Sequence, residues 1–257
     1  MQSSPWRIDG HHARLESEHF RAAIDMLDPS GGVKVLAASG EKIDDARLFR
    51  IRLPAGNRPE ASSVESFTRG DDLIAIHSDR PDNPFRTQIY WRLIRSIPAF
   101  QKTAAARSVE ALELILSIQT GLLDSDPAVD VETELAAARA SQLADAASAR
   151  FVDRSVTEGG AELGTESGLG CFQFAGAGAN TSYVEIIHPA DFRRATLATG
   201  AAPRRLRLSH RLFAERLEKG VILRSRLRGV FLPANCPPAA IAAAYEEFAA
   251  SEPPLTV

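Results

Sequence analysis

A chain of 257 residues, 44% hydrophobic and 25% charged, carries enough apolar material for one large core and too much for a disordered chain. A formal charge of -3 supplies no general attraction to nucleic acid or anionic lipid, so neither is an expected partner. No apolar run reaches the length of a membrane helix, and residues 1–10 lack the core of a signal peptide, so a cytoplasmic location is expected. Cys171 and Cys236 form no CxxC or Cys/His pattern. They read as reduced thiols, with no metal and no cofactor implied.

In chain order the dominant period is two, the mark of half-buried strands. Phe20, Ala22 and Ile24 share one face. The run Asp28-Pro29-Ser30-Gly31-Gly32 then turns the chain into Val33-Lys34-Val35-Leu36, glycine supplying the positive φ of a tight turn. Strands are expected at 46–53, 63–68, 72–77 and 86–94. Over 109–119, Leu112, Leu114, Leu116 and Ile118 alternate with Glu113, Ser117 and Gln119, and Ile115 is out of step. Further strands are expected at 129–135, 149–156, 169–174, 182–188, 204–212 and 221–232, with Leu223, Leu227 and Phe231 buried on the last. The alanine-rich stretch 136–149 could form a helix. Pro238–Ala250 reads as one, since proline suits the first turn and Ile241, Tyr245 and Phe248 recur at helical spacing. No strand–helix alternation, repeat or linker appears. The predicted fold is all-β: one antiparallel sandwich domain, its core over about 18–233, with a short C-terminal helix.

The conspicuous chemistry is polar faces on strongly apolar strands. Arg86, Gln88, Tyr90 and Arg92 point one way on their strand, and Thr87, Ile89, Trp91 and Leu93 the other. Arg224, Arg226 and Arg228 share a face near the C-terminus, as do Arg205, Arg207 and Arg211 one strand earlier. Paired as neighbours, those two strands would crowd six guanidiniums onto one surface, which repels unless something offsets it. An anionic or hydroxyl-rich ligand held by arginine forks is one answer. A solvated face on which Glu113, Glu132 and Glu134 pair with the arginines is the other. His188 and His77 each close a strand beside a loop, where a proton-transfer group would be reachable. His210 falls on the apolar side and reads as a core residue. Glu185, Glu215 and Glu218 are carboxylates that could partner a histidine. No P-loop, GxGxxG, GxSxG or HExxH occurs, which removes the nucleotide, hydrolase-elbow and zincin chemistries tied to them.

The chain resembles the galactose mutarotase-like superfamily, a β-supersandwich that includes aldose 1-epimerases. The resemblance rests on the order of Asp28-Pro29-Ser30-Gly31-Gly32, Tyr90-Trp91-Arg92, the strand 114–119 followed by Thr120-Gly121-Leu122-Leu123-Asp124, and the late segment 212–224. It implies a concave sheet face that binds sugar. By the same resemblance His188 would be an acid, with Glu215 or Glu218 as base, while Arg86 and Arg92 would hold hydroxyls or a carboxylate. The epimerases' Asn-His motif is absent, and two tryptophans and three tyrosines are few for stacking sugar rings. Three readings follow: a carbohydrate-binding or carbohydrate-active protein using Arg86, Gln88, Tyr90, Arg92, Arg224, Arg226 and His77; a mutarotase-type epimerase; and a non-enzymatic interaction module.

Overall fold

The period-two segments become strands because alternating side chains can bury one face of a pleated ladder while the other meets solvent or a covering element. The computed structural model describes residues 4–54, 64–81, 83–103, 109–156 and 159–252. Ser63, the first residue of one expected strand, and Asp82 lie outside the described residues.

The strands begin with β1 (Trp6–Asp9), β2 (His12–Glu16), β3 (Phe20–Asp25), β4 (Val33–Ala38) and β5 (Glu41–Arg52). Next come β6 (Val64–Arg69), β7 (Asp72–His77), β8 (Phe85–Ile94) and β9 (Ala111–Thr120), with a four-residue helix α1 (Pro98–Gln101) between the last two. β10 (Val129–Ala136), β11 (Arg139–Asp145), β12 (Arg150–Arg154), β13 (Ala161–Gly164) and β14 (Cys171–Ala175) follow. The chain ends with β15 (Thr181–Ile187), β16 (Arg194–Thr199), β17 (Arg205–Leu212), β18 (Ile222–Pro233) and helix α2 (Pro238–Ala250).

Among the described residues these strands form two nine-stranded sheets. The first runs β1-β2-β3-β4-β5-β10-β17-β16-β13 and the second β12-β11-β14-β15-β18-β9-β8-β7-β6, antiparallel throughout. The all-β expectation holds. The core lies between the sheets, where Leu112, Leu114, Leu116 and Ile118 are fully buried beside Leu227 and Phe231. Leu223 is only half-buried, because it sits near the start of β18 at the rim of the sandwich. Ile115, out of step in the sequence, packs on the outer face of the second sheet with Ile74 and Tyr90.

Two arrangements the sequence left open do not occur. The stretch 136–149 is no helix: Ala136 ends β10, Arg139–Asp145 is β11, and a turn leads into β12. Its alanines leave the apolar stripe too thin to support a helix, whereas Ala140 and Leu143 fill small spaces on a sheet. The two arginine-bearing strands are not neighbours either. β17 lies in the first sheet and β18 in the second, so the six guanidiniums divide between two surfaces.

A second apolar layer covers part of the second sheet's outer face. Helix α2 lays Ile241, Ala244, Tyr245 and Phe248 over Val184, Ile186, Val230 and Leu232. Farther along the same face, Gln88, Arg86, Gln119 and Arg224 are only half-buried and Ile222 is exposed.

Candidate functional site

Strand register lines up the outer-face residues of the second sheet in rows. One row runs Arg69, Asp72, Arg92, Glu113, Arg228, alternating in charge across five strands. Arg92 grips Asp72 with Nε donating to Oδ1 at 2.6 Å and Nη2 to Oδ2 at 2.8 Å. Arg228 donates to Glu113 Oε2 from Nε at 3.1 Å and Nη2 at 2.8 Å. The hydrogen bonds to Asp72 hold the Arg92 guanidinium above its ordinary pKa, against burial. Here the repulsion among arginines is answered within the chain.

The next row is largely apolar: Phe67, Ile74, Tyr90, Ile115, then Arg226. Tyr90 is buried, and its hydroxyl lies 3.4 Å from Gln88 Oε1. Arg226 turns toward the C-terminal residues. Its Nη2 donates to the Ser251 carbonyl at 2.6 Å and its Nη1 to the Glu252 carbonyl at 3.1 Å, while Phe248 lies under the guanidinium at 5.0 Å. Burial pulls its pKa down.

The third and fourth rows differ. Gln88, Ser117 and Arg224 stand side by side, and beyond them come Arg86, Gln119 and Ile222. These six residues, with Ile118, line a hollow of about 160 Å³. Arg224 Nε donates to Ser117 Oγ at 3.0 Å. Arg86 is half-buried and has no ion-pair partner among the described residues. Arg224 also lines a second hollow of about 400 Å³, at the end of the sandwich, with Asp191, Arg193, Arg211, Phe213, Glu215 and Leu223. The two hollows meet at Arg224.

Asp191 owes its place to the end of β15. Past Ile187 the His188 amide still donates to the Arg226 carbonyl at 3.1 Å, and the Asp191 carboxylate accepts from the Arg226 amide at 2.9 Å. Burial raises the pKa of Asp191.

Of the residues singled out in the sequence, Arg86, Gln88 and Arg224 come together. Tyr90 stands in the adjoining row. Arg92 and Arg226 share the face but are committed to Asp72 and to the C-terminal carbonyls. His188 does not line either hollow: its Nε2 donates to the Ala249 carbonyl at 3.2 Å, and its Nδ1 accepts from the Ala190 amide at 3.3 Å. Glu215 lines the larger hollow, exposed and 3.9 Å from Arg193. Glu218 is exposed in the turn before β18. His77 points into the sandwich, on the opposite face from Arg86, 2% exposed and with neither ring nitrogen hydrogen-bonded. Burial first, and then the Arg80 charge, lower its pKa to about 4.

The close histidine–carboxylate pair of this fold lies in the core. His210 Nε2 is 2.9 Å from Glu185 Oε1, while Thr133 and Tyr183 hydroxyls donate to Oε2 at 2.5 and 2.7 Å. Glu185 belongs to the second sheet, Thr133 and His210 to the first, so the cluster ties the sheets together. Gly229 makes room for it, since a Cβ there would collide with the Tyr183 hydroxyl.

Sequence reading did not single out Ser117, Gln119, Ile222 and Asp191 for the site. The parity of Ser117 and Gln119 was visible, but only the pairing of β9 with β8 and β18 puts them beside arginines.

Two stacked nine-stranded antiparallel sheets make a large β-supersandwich. The structure is similar to a "putative aldose 1-epimerase" of Escherichia coli K12, with a TM-score of 0.60 and 9% identity over 86% of this chain and 98% of that one. It is also similar to the Slr1438 protein of Synechocystis sp. PCC 6803, with a TM-score of 0.56 and 12% identity over 91% and 99% of the two chains. A second "putative aldose 1-epimerase", from Klebsiella pneumoniae, gives 0.51 and 9% over 93% and 83%. No family model and no curated protein matches the sequence. At these identities the likeness is one of fold.

Proposed function

We propose that the protein binds a saccharide in the hollow formed by Arg86, Gln88, Ser117, Gln119, Ile222 and Arg224. The observation that carries this reading is the contrast along β8. Arg92 is locked to Asp72, whereas Arg86 is half-buried with no carboxylate beside it among the described residues. A half-buried guanidinium between two amide side chains offers a fork and further donors and acceptors to vicinal hydroxyls or a carboxylate. A volume of about 160 Å³ suits one sugar ring, and Ile222 gives the ring an apolar wall. Sugar recognition fits the fold, and an acidic sugar would use Arg86 most fully.

The experiment is calorimetry of the wild type and Arg86→Ala with neutral and uronic oligosaccharides at two salt concentrations. Binding of a uronic sugar that weakens at least about tenfold in Arg86→Ala and falls with salt is expected. Binding unaffected by Arg86→Ala, or no binding to any saccharide, would move the protein to the interaction-module reading. Polarimetry of a freshly dissolved aldose tests the epimerase reading, in which Glu215 would need a histidine partner that His188, held by Ala249, does not provide.

A further inference from the structure

Strand β6 ends the second sheet, and nothing pairs with its outer edge among the described residues. A two-residue turn, Gly70-Asp71, joins it to β7 with Arg69 opposite Asp72. That turn makes Arg69 and Asp72 the closing hydrogen-bonded pair, so Glu65, Phe67 and Arg69 direct their amides and carbonyls toward β7. Val64, Ser66 and Thr68 then direct theirs outward. The side chains of Glu65, Phe67 and Arg69 all lie on the outer face and are exposed, Phe67 at 45%.

An edge of this kind invites another strand unless a proline, a bulge or a single-sign charge blocks it. β6 has no proline, and its pairing with β7 runs through six residues without a register shift. Its two charges have opposite sign and sit four residues apart, on either side of Phe67. We infer that β6 pairs antiparallel with β6 of a second copy of this chain, about a two-fold axis through Phe67, fusing the two second sheets.

That register is the one the outward groups require. Ser66 faces Thr68 of the other copy as a hydrogen-bonded pair, and Phe67 faces Phe67 as a non-hydrogen-bonded pair, where side chains approach most closely. Glu65 faces Arg69 of the other copy, twice by symmetry. The charge row Arg228, Glu113, Arg92, Asp72, Arg69 ends at this edge on a cation, and Glu65 of the second copy continues its alternation. The apolar row Ile115, Tyr90, Ile74, Phe67 ends here too, and the second Phe67 covers its exposed end. Shifting one strand by two residues sets Phe67 against Glu65 or, in the other direction, against Arg69, and loses both ion pairs.

Six residues per copy make a small interface, so association should depend on concentration. The test is sedimentation velocity of the full chain from micromolar to millimolar concentration, for the wild type, Glu65→Arg, Arg69→Glu and the double swap. Each single reversal sets like charges opposite one another and should weaken dimerisation about tenfold or more, and the double swap should restore it. Ser66→Pro removes an outward amide without touching the ladder to β7 and should give a monomer. Circular dichroism on every variant checks that each is folded. A wild type that stays monomeric throughout overturns the inference, as does a dimer indifferent to Glu65→Arg or single reversals that the double swap does not rescue.

Discussion

Arg86 and Arg92 share a strand and a face, yet one carries the proposed ligand site and the other a structural pair. The Arg92 fork on Asp72 is bidentate and Asp72 is 5% exposed, so removing Arg92 leaves a buried carboxylate without its partner. Arg92→Ala should cost about 1–3 kcal/mol in urea unfolding, and Arg92→Ala with Asp72→Ala clearly less than the sum of the single changes. Additive losses would mean the pair is not coupled. His77 gives a pH signature of opposite origin. Burial favours its neutral form and lowers its pKa from 6.5 to about 4. The unfolded chain then binds the proton first as pH falls, so the stability present above pH 6.5 is lost progressively down to about 4. The slope should be about 1.4 kcal/mol per pH unit inside that window. Urea unfolding at neutral and at mildly acidic pH should show His77→Leu losing less than the wild type over the same interval. Equal losses would rule out His77 as the titrating group.

At the level of elements, the period-two reading placed most strands to within a residue or two, because a buried face forces its own alternation. β7 and α2 coincide with their expected limits, and β8, β9 and β17 begin or end one or two residues away. The reading failed where strands are short. β1, β2, β13 and β16 are four to six residues long and lie at or near a sheet edge, so even the alternation of Ala13 and Leu15 on β2 spans too few residues to stand out. The stretch 136–149 is ambiguous in the sequence because alanine satisfies a helix or a strand, and only the packing partner decides. Leu116 tests the core that was read correctly. It is fully buried between the sheets, and Leu116→Ala should cost about 2–5 kcal/mol in urea unfolding, the range for a large-to-small core change. A loss below about half a kcal/mol, typical of a surface site, would contradict its placement.

For the whole molecule, composition and periodicity gave the all-β class, while sheet order came only from the structure. Alternation tells which side chains share a face but not which strand lies beside which. That is why Arg205, Arg207 and Arg211 seemed able to crowd Arg224, Arg226 and Arg228, although Arg205 is instead tied to Glu134 and Asp45 in the other sheet. The same ignorance of pairing hid the meeting of Arg86, Gln119 and Ile222. It also hid the link from Glu185 to His210, whose partners lie 25 residues apart on strands of different sheets.

The position of β18 bears on how the protein is made. Ile222–Pro233 occupies the middle of the second sheet, between β15 and β9, yet it leaves the ribosome after every other described strand of the two sheets. Until it emerges, β15, whose seven residues are all buried in the finished protein, and β9, nearly as apolar, each present an unpaired flank. A nascent chain cannot complete the sheet piecemeal, and β18 inserts as one strand into a waiting gap. Synthesis therefore leaves the β9 flank open from residue 120 and the β15 flank open from residue 187 until residue 222, a period in which holdase chaperones have most to protect and in which a chain cut short before residue 222 is bound for aggregation.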